Sequence, residues 1–137
     1  MVMLVNAVER KGDTHDPRAR SRYPRSMRLL RHADFERVYE KGRRLFSTHI
    51  TVFYLRRETG NCARIGYTVS RALGGAVDRN RMKRRLKEAV RLAQIPAGMP
   101  VDIVINPKKS LLKTNFEVLL EEVGRAFQII RQKAMMV

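Results

Sequence analysis

The sequence predicts a single α+β domain, an α-β sandwich with helices packed around a central mixed sheet. Three observations predict it. A strand, a long helix and another strand follow one another over residues 63–106, a βαβ unit whose flanking strands should lie parallel. An earlier strand is apolar on both of its faces. A closing helix carries one long apolar stripe. The chain has 137 residues, which suits one domain with a real core.

Residues 1–26 show no sustained apolar period, and Pro17 and Pro24 break helices. They read as a flexible basic extension, either an arm adding non-specific affinity for a polyanion or sequence upstream of a start at Met27. The domain proper is residues 27–137. A short helix is expected at about 32–41. Phe35, Val38 and Tyr39 stand at i, i+3 and i+4, and Gly42 is its stop. Residues 45–56 read as one strand. Thr51, Phe53 and Leu55 point one way; Ile50, Val52 and Tyr54 point the other. One face should cover the core and the other line a groove. Residues 58–61 form a turn, and residues 63–70 a second long strand with Ile65, Tyr67 and Val69 on one face.

The long helix is expected from about 76 to 94, ended by Pro96, Gly98 and Pro100. Residues 101–106 read as a buried strand stopped by Pro107. Thr114 and Glu117 form a capping-box candidate. The last helix then aligns Phe116, Leu119, Leu120, Val123, Phe127 and Ile130 on one stripe, read as core against the sheet.

Lys and Arg number 29 against 13 Asp and Glu, for a formal net charge of +16. The pI is about 11.2, a footprint of nucleic-acid binding that basic membrane-surface proteins share. Hydrophobic content of 44% argues against wholesale disorder. No run of ~18 apolar residues exists, so no transmembrane helix is expected. The apolar start is soon interrupted by Asn6 and Glu9, too early for a secretory signal. Cys62 is the single cysteine, which rules out an internal disulfide and fits a reducing cytoplasm.

The most informative segment is the long helix. Between Arg79 and Arg91 it holds seven basic residues and one acid, Glu88. Met82, Leu86, Ala89, Val90 and Ala93 fall on one stripe. Asn80, Arg84, Lys87 and Arg91 fall opposite, with Lys83 at the edge. A solvated charged face normally mixes signs to gain i,i+4 pairs. Here like-charge repulsion stands unless a polyanion relieves it, so the helix reads as a polyanion-binding element.

The run from Gly74 to Arg85 resembles the signature of the protein subunit of bacterial ribonuclease P, with its Ala-Val-x-Arg-Asn-Arg-x-Lys-Arg core. Residues 30–42 resemble that family's first helix, residues 64–71 the strand before the basic helix, and residues 100–105 the last strand. Together the matches span roughly residues 27–130 in the family's order. The resemblance implies a ribonucleoprotein that removes the 5′ leader of precursor tRNA. Its partners would be the ribonuclease P RNA and precursor tRNA, with no membrane and no obligate protein partner. The RNA subunit would hold the catalytic magnesium ions. The resemblance also implies a left-handed βαβ crossover, where spacing alone would favour the common right hand.

Residue roles follow from the same resemblance. Arg71, Arg79, Asn80, Arg81, Arg84 and Arg85 match positions that bind the RNA subunit. Arginine suits phosphate because its planar fork bonds two oxygens at once. Asn80 can both donate and accept, so it suits a 2′-OH or a base edge, or else a bond at the helix start. Phe35, Tyr39 and Phe53 match aromatics lining the leader cleft, with Lys83 and Lys87 facing the leader. From periodicity alone all three aromatics read as core. The family often has Arg where Lys87 stands and Tyr where Phe53 stands.

No catalytic or metal-ligating constellation belongs to the chain itself. His15, His32 and His49 lack ligand spacing, and Asp34, Glu36 and Glu40 read as surface charges of one helix. The protein alone is therefore expected to be non-catalytic, an accessory subunit of an endoribonuclease. The rival reading is a ribosomal or general RNA-binding protein with no part in tRNA processing. A DNA-binding architectural role is third, for no dimeric half-site design is visible.

Overall fold

Helix α1 spans His32–Lys41 and buries Phe35 and Val38, the apolar positions one turn apart. The structure, a computed structural model, describes residues 28, 31–96 and 98–135. The basic extension of residues 1–26 lies outside them. Helix α1 ends at Gly42, whose φ of −80° and ψ of 171° any residue can adopt. Glycine is needed there for room. A Cβ would sit 2.4 Å from the Val38 carbonyl oxygen and 2.7 Å from that of Tyr54.

The expected single strand over residues 45–56 is a hairpin instead. Strand β1 is Arg43–Phe46 and β2 is Ile50–Arg56, paired antiparallel with Phe46 opposite Thr51. The Ser47 N–H donates to the Ile50 carbonyl at 3.0 Å and closes the turn. The Lys108 ammonium donates to the Ser47 carbonyl at 2.6 Å, and Glu122 Oε1 accepts from the His49 N–H at 2.8 Å. Distant residues thus hold a turn that carries no glycine or proline.

Strand β3 is Arg64–Tyr67, shorter than the sequence suggests. A 3-10 turn over Arg71–Leu73 follows, its start capped by the Ser70 hydroxyl. Gly74 then takes φ 146°, a conformation that disfavours any side chain, and delivers the chain into α2, Ala76–Ala93. Strand β4 is Val101–Pro107, with Pro107 as its last paired residue opposite Ile50. A second 3-10 segment, Lys109–Lys113, leads to α3, Phe116–Met135. The Asn115 carbonyl accepts the first bond of α3, from Leu119. Asn115, one residue beyond the expected Thr114, is therefore the N-cap.

The sheet order is β1-β2-β4-β3, with β3 and β4 parallel and the other pairs antiparallel. This is the expected mixed sheet. Its two faces differ as the alternation of β2 predicts. Ile50, Val52, Tyr54, Ile65, Tyr67, Ile103 and Ile105 face α2 and α3 in the main core. Met82, Leu86, Ala89 and Val90 of α2 enter it, with Leu119, Val123, Phe127 and Ile130 of α3. Each fully buried Val, Leu, Ile, Phe or Met among them contributes roughly 1.5–3 kcal/mol. On the other face α1 lays Phe35 and Val38 over Val104, with Tyr39, Phe53 and Leu55 at the margin.

Candidate RNA interface

Strand register sets out the sheet face under α1 in rows. Arg44, Phe53, Val104 and Gly66 stand side by side. The next row is Phe46, Thr51 and Asn106, with Thr68 beyond the end of β3. Helix α1 covers the first row only in part. Tyr39 meets Phe53 edge to face, with ring centroids 4.9 Å apart and planes at 84°. The Tyr39 hydroxyl hydrogen-bonds Thr68 Oγ1 at 2.7 Å and Asn106 Oδ1 at 3.1 Å. Those bonds fix the ring over the sheet while leaving it half-buried.

Phe35 does not share this position. It is 1% exposed and presents no ring face to a ligand. It supports the cleft from beneath. Arg44 in the same row and Phe46 in the next continue this surface onto β1. The Arg44 guanidinium carbon lies 5.1 Å from the Phe53 ring centroid and 5.4 Å from that of Phe46. Phe46 is 69% exposed. A cation held over two rings is an attractive arrangement, and its open planes suit stacked bases. The i, i+2 spacing of Arg44 and Phe46 signals it, once β1 is recognised as a strand.

The row containing Thr51, Asn106 and Thr68 lies at the end of the sheet where β3 leaves toward α2. Arg71 is exposed in the connecting turn, and Asn80, Arg81 and Arg84 are exposed on α2. Arg79 and Arg81 sit in the first two turns, where the helix macrodipole disfavours cations and favours anions. Asp78 is the acid of the first turn, 3.8 Å from Arg81 in a solvent-exposed pair of little strength. Gly75 occupies the N-cap and Asn80 lies a turn further in, so the Asn80 amide does not cap the helix.

The other cations differ. Glu88 pairs with Arg91, which raises the Arg91 pKa. Lys83 is half-buried; that burial, and then repulsion from Arg79, lower its pKa from the ordinary lysine value. Lys87 is half-buried too. Arg85, expected in an RNA contact, has partners within the fold. Its guanidinium donates to the carbonyls of Leu111 at 3.3 Å and Thr114 at 2.8 Å, tying α2 to the segment that leads into α3.

Asp34 also departs from expectation. It is 6% exposed, not a surface helix charge. It pairs with Arg37 at 2.9 Å and approaches Arg64 at 3.6 Å. Arg64 in turn forks onto Asp102, with both bonds at 2.8 Å, and the resulting hydrogen bond raises its pKa. Arg57 reaches the same carboxylate at 2.5 Å. Asp102 is fully buried, so this network of two acids and three arginines fastens α1, β3 and β4 together. It holds the aromatic row in place from the side away from α2.

A ribonuclease P family profile matches residues 23–131. The ribonuclease P protein component of Oleidesulfovibrio alaskensis is 48% identical over 90 residues, covering 64% of this chain and 70% of that one. The one from Symbiobacterium thermophilum is 35% identical over 104 residues, covering 76% and 90%. The solved ribonuclease P protein of Thermotoga maritima shares the fold with a TM-score of 0.65 and 26% identity, over 75% of this chain and 96% of that one.

A mixed sheet with three helices, an aromatic row and a cationic helix define an RNA-binding α+β subunit. The chain belongs to the ribonuclease P protein family, accessory subunits of an endoribonuclease whose role is tRNA 5′-leader processing. Its partner is the ribonuclease P RNA.

Proposed function

We propose that the row Tyr39, Phe53, Arg44 and Phe46 holds the single-stranded 5′ leader of precursor tRNA, while Arg71, Arg79, Asn80, Arg81 and Arg84 hold the ribonuclease P RNA. The observation that carries this is the open stack of Arg44 between two rings beside a half-buried Tyr39–Phe53 pair. A core would close such a stack, whereas a single strand has free bases to lay on it. Lys83 and Lys87 contribute charge toward the leader.

The cleavage chemistry belongs to the RNA subunit, with its magnesium ions. The buried carboxylates of Asp102 and Asp34 do not fit a magnesium site, because both oxygens of Asp102 accept from arginines and Asp34 pairs with Arg37. Among the described residues, no three of His, Cys, Asp and Glu converge on a metal position. The cytoplasm is the place of action, in keeping with a Cys62 that forms no disulfide. Among the described residues no helix is long and apolar enough to cross a membrane.

Reconstitution with a bacterial ribonuclease P RNA tests this reading. At magnesium too low for the RNA alone, added protein should restore 5′ maturation of precursor tRNA. Protein freed of RNA should not cleave. Specific 5′ cleavage by the RNA-free protein would move the chemistry onto the protein and overturn the proposal.

A further inference from the structure

A second basic site lies at the other end of the sheet, away from the start of α2. A cleft of about 620 Å³ opens between the C-terminal ends of α1 and α3. Its walls carry Lys41, Arg43, Arg56 and Lys133, one cation from each of α1, β1, β2 and α3. Tyr54, Leu55 and Ala134 form an apolar floor, and no carboxylate appears among the described residues of the lining.

The bland account is that cations near helix C-termini offset the helix dipoles. Lys41 and Lys133 do stand in the last turns of α1 and α3, and Arg56 donates to the Ala134 carbonyl. The magnitudes decide against it as a full account. Two C-termini supply roughly one negative charge between them, about half a charge each. Four cations surround the cleft, so among the described residues about three positive charges stay uncompensated. Lys41, Arg43 and Lys133 form no ion pair with any described residue.

We propose that this cleft is a second RNA-binding site, which takes backbone phosphate at a distance from the aromatic row and the cationic start of α2. A concave wall of four cations gathers the field on one point. Arginine forks suit phosphate oxygens, and the apolar floor suits the sugar that follows each phosphate. The proposal rests on the reading that the chain binds RNA, and its test separates the two.

The test compares Arg43→Gln/Lys133→Gln with the wild type and with Arg84→Gln. Both cleft positions are exposed, so the fold should survive; Arg56 is left intact because it bonds Ala134. Affinity is measured against salt in two arms, protein with ribonuclease P RNA and holoenzyme with precursor tRNA. Each lost phosphate contact removes about 0.7–0.9 from the slope of log K against log salt. Between 50 and 200 mM salt the wild type should therefore lose roughly tenfold more affinity than the double variant in one arm. The arm affected says which RNA occupies the cleft.

An unchanged slope in both arms, with a reduced slope for Arg84→Gln, would overturn the cleft and spare the RNA-binding reading. No RNA affinity in the wild type would sink that reading itself. Inorganic phosphate supplies a further control. If it shifts the Arg43 side-chain NMR signal while both RNA slopes stay unchanged, the cleft is a small-anion site and the proposal fails.

Discussion

The rings of Tyr39 and Phe53 meet edge to face, 4.9 Å apart between centroids, and the Tyr39 hydroxyl is tethered to Thr68 and Asn106. The pair is thus fixed by bonds at its polar tip and not only by packing. Replacing both rings by leucine keeps much of the volume but removes the stacking surface. Leader-bearing precursor tRNA should bind more weakly by about 1–3 kcal/mol for each base in contact. Affinities for mature tRNA and for the ribonuclease P RNA should change little. Equal losses for all three ligands, or a collapsed melting transition, would mark the rings as core alone.

Neighbouring arginines of α2 should behave oppositely. Arg84 is exposed, so Arg84→Ala, like Arg81→Ala, should lower the salt slope of binding to the RNA subunit by about one unit with little change in melting. Arg85 bonds the carbonyls of Leu111 and Thr114. Arg85→Ala should lower stability by about 1–3 kcal/mol, as bonds from a charged donor are lost. Salt titrations and urea melts on the same three variants check both halves.

Asp102→Asn should be among the most damaging single changes. It takes the paired carboxylate from Arg57 and leaves Arg64 only the more distant Asp34. Breaking a buried pair costs about 3–5 kcal/mol. The lower end is expected, because Arg64 is partly exposed and keeps Asp34 at 3.6 Å. Urea denaturation measures it, and a loss below about 1 kcal/mol would mean the arginines find other partners.

Gly42→Ala tests the joint between α1 and the sheet. The new methyl would overlap backbone oxygens of Val38 and Tyr54, and neither is a flexible side chain. Helix α1 must shift, at a cost of about 1–3 kcal/mol typical of overpacking. That shift carries Tyr39 with it, so leader affinity should fall in the refolded variant even though residue 42 touches no RNA. Unchanged melting and leader binding would show that the joint yields freely.

Lys83 should titrate below the ordinary lysine value of 10.5 when followed by NMR of its side-chain carbon. Burial and Arg79 favour its neutral form. The unfolded chain then holds the proton more tightly, so the fold gains stability as pH rises from the lowered value toward 10.5. A phosphate placed beside Lys83 acts the other way and should raise its titration point. Titration of Lys83 at the ordinary value of 10.5, and no response to added RNA, would contradict both statements.

Much of this was readable from residue order. The spacing of Phe35, Val38 and Tyr39 placed α1, and the alternation along β2 foretold a sheet with two apolar faces. The hairpin was hidden because Leu45 and Phe46 continue that alternation into residues 47–49, which lack the usual turn residues. The turn is instead held by Lys108 and Glu122, far away in sequence. Phe35 and Tyr39 share a helical stripe, but only the structure shows that helix α1 covers one and leaves the other half open. Asp34 looked like a surface charge because Arg64, which approaches it, lies on strand β3, thirty residues further along the chain. Arg84 and Arg85 are adjacent letters, yet about 100° of helical rotation turns one to solvent and the other onto carbonyls.

Strand β1 forms one edge of the sheet, and among the described residues no further strand pairs with its outer side. Such an edge invites another copy of the chain to add on and begin an aggregate. Arg43 and Arg44 occupy its first half, so two edges meeting would press guanidinium against guanidinium. The protein's solubility on its own thus depends on the same charges that draw it to RNA. Phosphates that neutralise them also remove the guard, so at low salt the protein should be most prone to precipitate near charge balance with RNA.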